Sequence, residues 1–589
     1  MNTPLARRER AALALLAVGT VAFLPGALDR FVFLKVAVMA GGVALAFTVS
    51  PRNRLSPRIV MILCLGSVIL LVATLREPAP LSALVGRSPR FEGIFILPVY
   101  VGGAAAGARL LGPNRAAGST AWFMKWLAVA AVVVGVEAAL ELAGLRPLAS
   151  SVSRPGSLLG NASDEGAWAV LVVGPLAAIA VTTRRWPYLV GTVAALVTLV
   201  ASGSRGALLG VVVVALVLVA LEPRRSIKLT VVAGLVLVAI FSFVAPATRA
   251  RIVGTSPYST ETVTGRTLLW EETAHLVGDH LVLGVGASGF ENAIPKYHNR
   301  EWQLKVGAAN PPDSPHNWVL QAASDGGLLL ALLALALSVT VLLEGWGASR
   351  RQVNRGERAA AVGMLAGVSG YGVALLFHFT SPGTTPLAAT FAGALVAVPL
   401  RSQGARDVER LKHLADTLRA VLFGALALLL VLAAWAEIPL RSAIEDAASG
   451  RLAAANHEFH LAQDLRPWDP SVAATAGHAF AVLATLGEPG AAVRASPWVA
   501  TELRENPSGV VTLEDGAAID DASGHLGSAA SLLKNAQRLD PTNPNVLLSL
   551  ARVYLREGSR VKALPILEKA ELFAPHSEAL RRALRDARR

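Results

Sequence analysis

Apolar runs long enough to cross a bilayer recur from Ala11 to Glu437, and they leave this chain few folds to choose from. A spanning helix needs about 20 mostly apolar residues. Within lipid, its backbone N–H and C=O groups must be satisfied inside the segment. About 13 such runs are readable, at roughly 11–28, 31–49, 58–75, 93–111, 121–144, 165–182, 187–202, 206–222, 229–246, 317–343, 359–378, 385–400 and 417–437. Hydrophobic residues make up 53% of the chain and charged ones 16%, against about a quarter charged in soluble domains. The prediction is an all-α fold: a polytopic transmembrane helical bundle of about 12–13 spans, followed by a polar tail.

The net charge of +13 comes from Arg and Lys clustered in short loops between these runs, a topology signal. With the N-terminus in the cytoplasm, the inner loops hold Arg52, Arg54 and Arg58; Arg115 and Lys125; Arg184 and Arg185; Arg224, Arg225 and Lys228; Arg350, Arg351, Arg355 and Arg358; and Arg401, Arg406, Arg410 and Lys412. The loop 247–316 and everything after Glu437 then lie outside. The expected location is the bacterial inner membrane with a periplasmic tail. No basic stripe with interleaved aromatics supports nucleic-acid binding. The single cysteine, Cys64, sits inside an apolar run and makes neither an intrachain disulfide nor a CxxC metal site. Arg7, Arg8 and Arg10 precede the first run with no small-residue cleavage site after it, so the first helix is read as uncleaved.

Two parts are expected: 1–437 in the membrane and 438–589 outside it. In the tail, Asn545 to Glu557 and Arg560 to Phe573 read as two helices joined at Gly558, with Leu547, Leu550, Ala551, Tyr554, Ala563, Leu567 and Ala570 at helical spacing. Leu539-Asp540-Pro541 and Phe573-Ala574-Pro575 close the preceding helices, and Leu465-Arg466-Pro467 repeats the phrase. This resembles tetratricopeptide repeats, whose stacked pairs build concave surfaces for a protein partner. An ordinary helical bundle is the alternative, and neither supplies catalysis.

No HExxH and no phosphate-binding Walker loop occur. Gly284-Val-Gly286-Ala-Ser-Gly289 has dinucleotide-loop spacing but lacks a βαβ context. The residues that can carry chemistry are arginines and one histidine on the outer side. In Ser202-Gly203-Ser204-Arg205 a tight turn holds Arg205 at headgroup level, where an ionisable group is either functional or snorkelling. In Pro311-Pro312-Asp313-Ser314-Pro315-His316, Ser314 suits an N-cap and Pro315 the first helical position. His316 is then expected in the first turn, where the helix dipole disfavours imidazolium. A neutral imidazole can act as a general base, although a hydrogen-bonded structural histidine is the alternative. Arg90, with Glu92, precedes the fourth run, Arg154 precedes Asn161, and Arg266 lies early in the large loop. Trp270-Glu271-Glu272 reads as the start of an amphipathic helix. Guanidinium forks bind phosphate oxygens in bidentate fashion, and a diphosphate leaving group needs its developing charge stabilised. The set fits glycosyl transfer from a lipid diphosphate to a hydroxyl, and equally a site for anionic lipid.

Ser202-Gly-Ser-Arg205-Gly-Ala-Leu-Leu-Gly210, Arg266-Thr-Leu-Leu-Trp270, Gly284 to Phe290, and His316-Asn317-Trp-Val-Leu-Gln321 with Gly326-Gly327-Leu328 follow in an order that resembles the O-antigen ligase and polymerase superfamily. The resemblance covers about 150–400. It implies inverting, metal-independent transfer of an undecaprenyl-diphosphate-linked glycan, without a cofactor, at the periplasmic face. Arg205 and Arg266 would engage the diphosphate, and His316 would activate the acceptor hydroxyl. Arg90, Arg154, Asn161 and Ser204 are the substrate-binding candidates. The run at 417–437 and the repeat tail depart from a typical ligase and leave the acceptor open among lipid, glycan and protein. A polymerase and a protein O-oligosaccharyltransferase share the fold. A non-enzymatic transporter or scaffold is the reading from another class, and a transporter would show broken helices or paired halves.

Overall fold

A computed structural model describes residues 5–148, 156–253, 257–308, 312–352, 354–400 and 406–589, without the side chains of 247, 257–262 and 406–409. The apolar runs become α1 (Arg7–Val18), α2 (Phe33–Phe47), α3 (Pro57–Leu75), then after a short α4 (Pro80–Val85), α5 (Leu97–Leu111), α6 (Ser119–Leu142), α7 (Ala162–Thr183), α8 (Trp186–Ser202), α9 (Arg205–Leu221) and α10 (Arg225–Val244). The large loop folds into α11 (Pro246–Val253), α12 (Pro257–Asp279), α13 (Phe290–Ala293) and α14 (Arg300–Lys305). The bundle resumes with α15 (Trp318–Arg351), α16 (Arg355–Ala374), α17 (Thr385–Leu395) and α18 (Arg406–Ala448). Among the described residues, seven helices are long and apolar enough to cross a membrane: α3, α6, α7, α10, α15, α16 with the turn that follows it, and α18; α2, α5, α8, α9 and α17 are shorter and apolar.

The run at 11–28 is short as a helix. It gives way to a 3-10 turn after Val18, ahead of Pro25 and Gly26 (φ 84°), a pair that cannot continue an α-helix. The run at 317–343 is not one helix either. Gly326 and Gly327 leave helical geometry within α15, Gly327 at φ 71°. The freed backbone is taken up by the loop from α12: Leu328 N–H donates to Leu281 O (2.9 Å), Val285 N–H to Ser324 O (2.7 Å) and Gly286 N–H to Asp325 O (3.0 Å). The Gly284-Val-Gly286 stretch is therefore a backbone clasp on this kink.

Inside the bundle, helices meet through small residues, as membrane packing favours. A Cβ on Gly363 of α16 would strike the backbone of Pro175 in α7, and one on Gly370 would strike Gly210 O of α9. One end of the bundle is tied by β1 (Asn53–Leu55) pairing antiparallel with β2 (Ala397–Pro399) and by Arg109, which bonds Asp416 at 2.7 Å and Ala46 O at 3.0 Å. The other end carries the large loop and the tail.

The last apolar run is the centre of a 43-residue helix, α18, that continues into the tail. There α18 packs on α19 (Leu452–Leu465), α20 (Ser471–Thr485) on α21 (Ala491–Glu505), α22 (Val510–Ala522) on α23 (Leu526–Leu539), and α24 (Pro544–Arg556) on α25 (Arg560–Phe573), with α26 (Glu578–Arg588) over the last pair. The phrases at 465–467, 539–541 and 573–575 each close a helix. The tail is docked, not tethered. Arg466, 1% exposed, pairs with Glu437 (2.5 Å) and Asp469 (3.2 Å) and lies over the Phe33 and Phe91 rings at 5.0 and 5.7 Å. Glu437 also accepts from Asp29 N–H (2.9 Å). Farther along, Thr542 Oγ1 donates to His298 O (3.0 Å) and Arg300 Nε to Leu572 O (3.0 Å).

Candidate active site

Arg205 opens α9. Gly203 at φ 56° ends α8, and Ser204 is the N-cap of α9, its Oγ accepting from Ala207 N–H (3.4 Å). This turn fixes the guanidinium, whose Nε donates to Arg251 O (3.0 Å), with a second, shorter bond from Nη2 to the same oxygen. Arg251 lies in the last turn of α11, and its own Nε is buried without a hydrogen-bond partner. Arg266, on α12, completes a trio. Burial and then the Arg251 and Arg205 charges push the Arg266 guanidinium below its usual range; burial and Arg205 do the same to Arg251. The three cations thus repel one another and are partly withdrawn from water.

His316 is within reach of the Arg266 charge. It does not lie in the first turn of α15. Asn317 is the N-cap, its Oδ1 accepting from Val319 N–H (3.0 Å) and Leu320 N–H (3.2 Å), and the helix starts at Trp318. An amide oxygen that satisfies two orphan donors outcompetes the hydroxyl of Ser314 for this role. Ser314 is buried and accepts instead from His316 N–H (3.4 Å). His316 stands in left-handed backbone at φ 50°, with the preceding turn pinned by Trp270 Nε1 donating to Pro315 O (2.8 Å). Its Nδ1 is buried with no partner. Burial first, then His378, Arg266 and Arg90, hold the imidazole well below its usual pKa. The neutral ring foreseen from helix position is thus obtained by burial and neighbouring cations.

Arg90 reaches the same place. Its guanidinium pairs with Glu92, donates to Asp313 O (3.4 Å) and lies over the Phe379 ring at 4.7 Å. Burial acts against its charge, but Glu92 and Asp313 outweigh it and raise the pKa. Arg90 and Asn161 line one cavity of about 500 Å³ with Asp164, Phe379 and Arg466. Asn161 also caps α7 through Ser163 N–H (2.7 Å). Arg154 lies outside the described residues.

Sequence reasoning passed over three residues here. Arg251 was one more charge in a long loop. His378 and Asp164 sit at the ends of apolar runs, His378 Nε2 bonding Asp164 Oδ1 at 3.1 Å and its ring lying parallel to His316 at 6.3 Å. A histidine between two phenylalanines at the end of a span was the available signal. Glu272, read as part of a helix start, is inside α12 and bonds His298 Nδ1 at 2.8 Å. That helix begins at Pro257.

Residues 190–335 match a family model described as O-antigen ligase, and residues 522–587 match a tetratricopeptide-repeat model. The first segment contains Arg205, Arg251, Arg266 and His316, whereas Arg90, Asp164 and His378 lie before or after it. No curated protein matches the chain.

Proposed function

We propose that this membrane protein, which carries an O-antigen ligase domain, transfers a glycan from undecaprenyl diphosphate to an acceptor hydroxyl at the periplasmic face of the inner membrane. The single observation that carries the reading is the cationic trio: the Arg205 Nε bond to Arg251 O ties two of its members together, the Arg251 and Arg205 charges act on Arg266, and the Arg266 charge acts on His316. In the proposed step, His316 takes the proton of the acceptor hydroxyl as that oxygen attacks the anomeric carbon. The bond from the anomeric carbon to the diphosphate oxygen breaks, and the electron pair stays on the diphosphate. The new bond forms on the opposite face, with inversion. Guanidinium forks neutralise the leaving charge as it develops. Arg90 and the cavity with Asn161 hold the sugar or acceptor side.

An apolar groove of about 310 Å³ between α3, α5, α15 and α17 supports the lipid part. Its outer end reaches Tyr100, whose hydroxyl donates to Glu92 (2.6 Å), the partner of Arg90. A polyprenyl chain in this groove would deliver its diphosphate to the site. In this reading 1–437 is the transferase and 438–589 a periplasmic accessory part.

The test is transfer from an undecaprenyl-diphosphate-linked glycan by purified protein and by cells. Arg205→Ala is expected to lower the rate by about 10²–10³-fold and His316→Ala by about 10²–10⁴-fold, with both variants still inserted and lipid-linked glycan accumulating. Wild-type envelope glycans in both variants would overturn the reading.

A further inference from the structure

Helices α7, α9 and α16 carry different things at their two ends. One end of each holds a residue of the candidate site: Asp164, Arg205 and, just after α16, His378. The other ends, with the start of α10, enclose a cavity of about 360 Å³. Arg224, Arg355 and Arg358 form its rim, and Glu222 is the one carboxylate beside them. Glu222 is already engaged, since its Oε1 accepts from Arg224 N–H (3.0 Å), and its pairing with the Arg224 guanidinium is loose at 3.9 Å. Arg358 donates from Nη2 to Leu221 O (3.2 Å) and keeps its other N–H groups. Among the described residues, the Arg355 guanidinium has no hydrogen bond and no ion pair. Below the rim the lining changes. Val181, Leu218, Ile227, Val231 and Val362 make an aliphatic floor, and no Trp, Tyr or Phe joins them. The α10 wall is thinly held. Of its 20 residues only Ile227, Val238 and Ser242 are buried, all on one face.

We propose that this cavity binds one anionic phospholipid, with its phosphodiester against Arg355 and Arg358 and its chains running out along α10. The ligand's chemistry follows from the two halves of the lining. Three guanidinium groups against one carboxylate leave an excess of two positive charges, and a guanidinium fork takes phosphate oxygens in pairs. The aliphatic floor has no use for inorganic phosphate, and without a ring face it offers nothing to a nucleotide base. A phosphate that carries hydrocarbon matches both halves. The rim lies at the end of the bundle that the loop charges assign to the cytoplasm, the leaflet in which anionic headgroups attract arginine. A lipid seated here bridges α10 to α7 and α16, which touch each other through Gly174 and Gly363. Its occupancy therefore stiffens the helices that end at Asp164 and His378. The proposal does not rest on the transferase reading, because bound lipid is read by mass and by melting and not by turnover.

The experiment uses the full chain, stripped of lipid in detergent, with native mass spectrometry to count bound lipid and thermal unfolding to weigh its effect. The probes are phosphatidylglycerol, phosphatidylcholine with the same chains, and inorganic phosphate. One phosphatidylglycerol per chain is expected to persist, to bind about tenfold or more tighter than phosphatidylcholine, and to raise the melting temperature. Inorganic phosphate should do none of this. Arg355→Gln, which breaks no contact within the described residues, should weaken phosphatidylglycerol by about fivefold. Arg355→Gln combined with Arg358→Gln should erase the preference. Val231→Trp, which fills the floor from the thinly held α10, should displace both lipids. Arg225→Gln, one residue beyond the rim, should bind like wild type. Equal binding of the two lipids would overturn the proposal, as would inorganic phosphate that stabilises as much as the lipid does. A preference that survives the double variant, phosphatidylglycerol retained by Val231→Trp, or a loss in Arg225→Gln as large as in Arg355→Gln would do the same.

Discussion

His316 holds a left-handed backbone, which costs a non-glycine residue on the order of 1–3 kcal/mol. The surroundings keep it there by three contacts: Trp270 on the carbonyl before it, Ser314 on its own N–H, and Phe379 against its ring at 5.1 Å. The result is an imidazole whose Nδ1 is hidden from water and unpaired, kept neutral at rest by burial and by neighbouring cations. Arg251 matters for the same reason as its two neighbours. Its carbonyl orients Arg205, while its guanidinium adds charge where a diphosphate would sit. Arg251→Ala is expected to reduce kcat/KM for glycan transfer by about 10²-fold. Arg251→Lys should recover only part, because an ammonium lacks the planar fork. Activity within about twofold of wild type in Arg251→Ala would remove Arg251 from the site. The sequence displayed Arg205 and His316 because Arg205 stands in the turn between two apolar runs and His316 stands immediately before one. Arg251 was illegible, since its value comes from α11 folding back onto the turn before α9, a contact that no local pattern encodes.

Among elements, α15 shows why hydropathy reads membrane depth better than helix geometry. Its apolar run is continuous in composition, but the chain turns at Gly326 and Gly327 and only the part from Leu328 onward runs on as a straight helix. The piece before the kink follows directly on His316 and carries Gln321, whose Oε1 accepts from Arg90 (3.5 Å), and it is held by the clasp from residues 281–286. A Cβ on Gly327 would collide with Leu281 O and Val282, and the positive φ adds strain. Gly327→Ala is expected to lower thermal stability in detergent by about 1–3 kcal/mol and to reduce transfer. Gly234→Ala, at a helical site on α10 with open space around it, should do neither. Unchanged melting and transfer in Gly327→Ala would mean the clasp positions nothing. The same limit explains the other differences. The run at 417–437 gave no sign that α18 extends from 406 to 448, because its polar ends are as helical as its apolar middle. The run at 385–400 concealed a helix that stops at Leu395 so that 397–399 can pair as a strand. Repeat-closing Asp-Pro and Ala-Pro phrases, by contrast, were legible, since proline punctuation acts locally.

At the scale of the whole molecule, bundle, large loop and repeats meet in one layer that buries many carboxyls. The contacts that close it join residues hundreds of positions apart, such as Asp29 with Glu437 and Ser82 with Glu505, so the sequence announced a tail and not its docking. The layer has a measurable pH signature. Burial lifts Asp29 to about 6, Glu291 and Glu514 to about 7, and Glu77 and Glu502 to about 8. Each raised carboxyl binds its proton more tightly in the folded protein than in the unfolded chain, where acids titrate near about 4. Between those values the native state carries more protons, so the free energy of unfolding falls as pH rises. The stabilisation is complete below about pH 4 and is lost in sequence as the pH passes 6, 7 and 8. Hydrogen exchange of α20–α22 and thermal unfolding in detergent are therefore expected to show progressive loosening from about pH 5 to pH 9. Glu77→Gln and Glu502→Gln should each flatten that slope at its alkaline end. The neutral amide cannot ionise, so it keeps the low-pH state at every pH. A layer that tightened over this interval would mean that these carboxyls are ionised and paired in the folded protein.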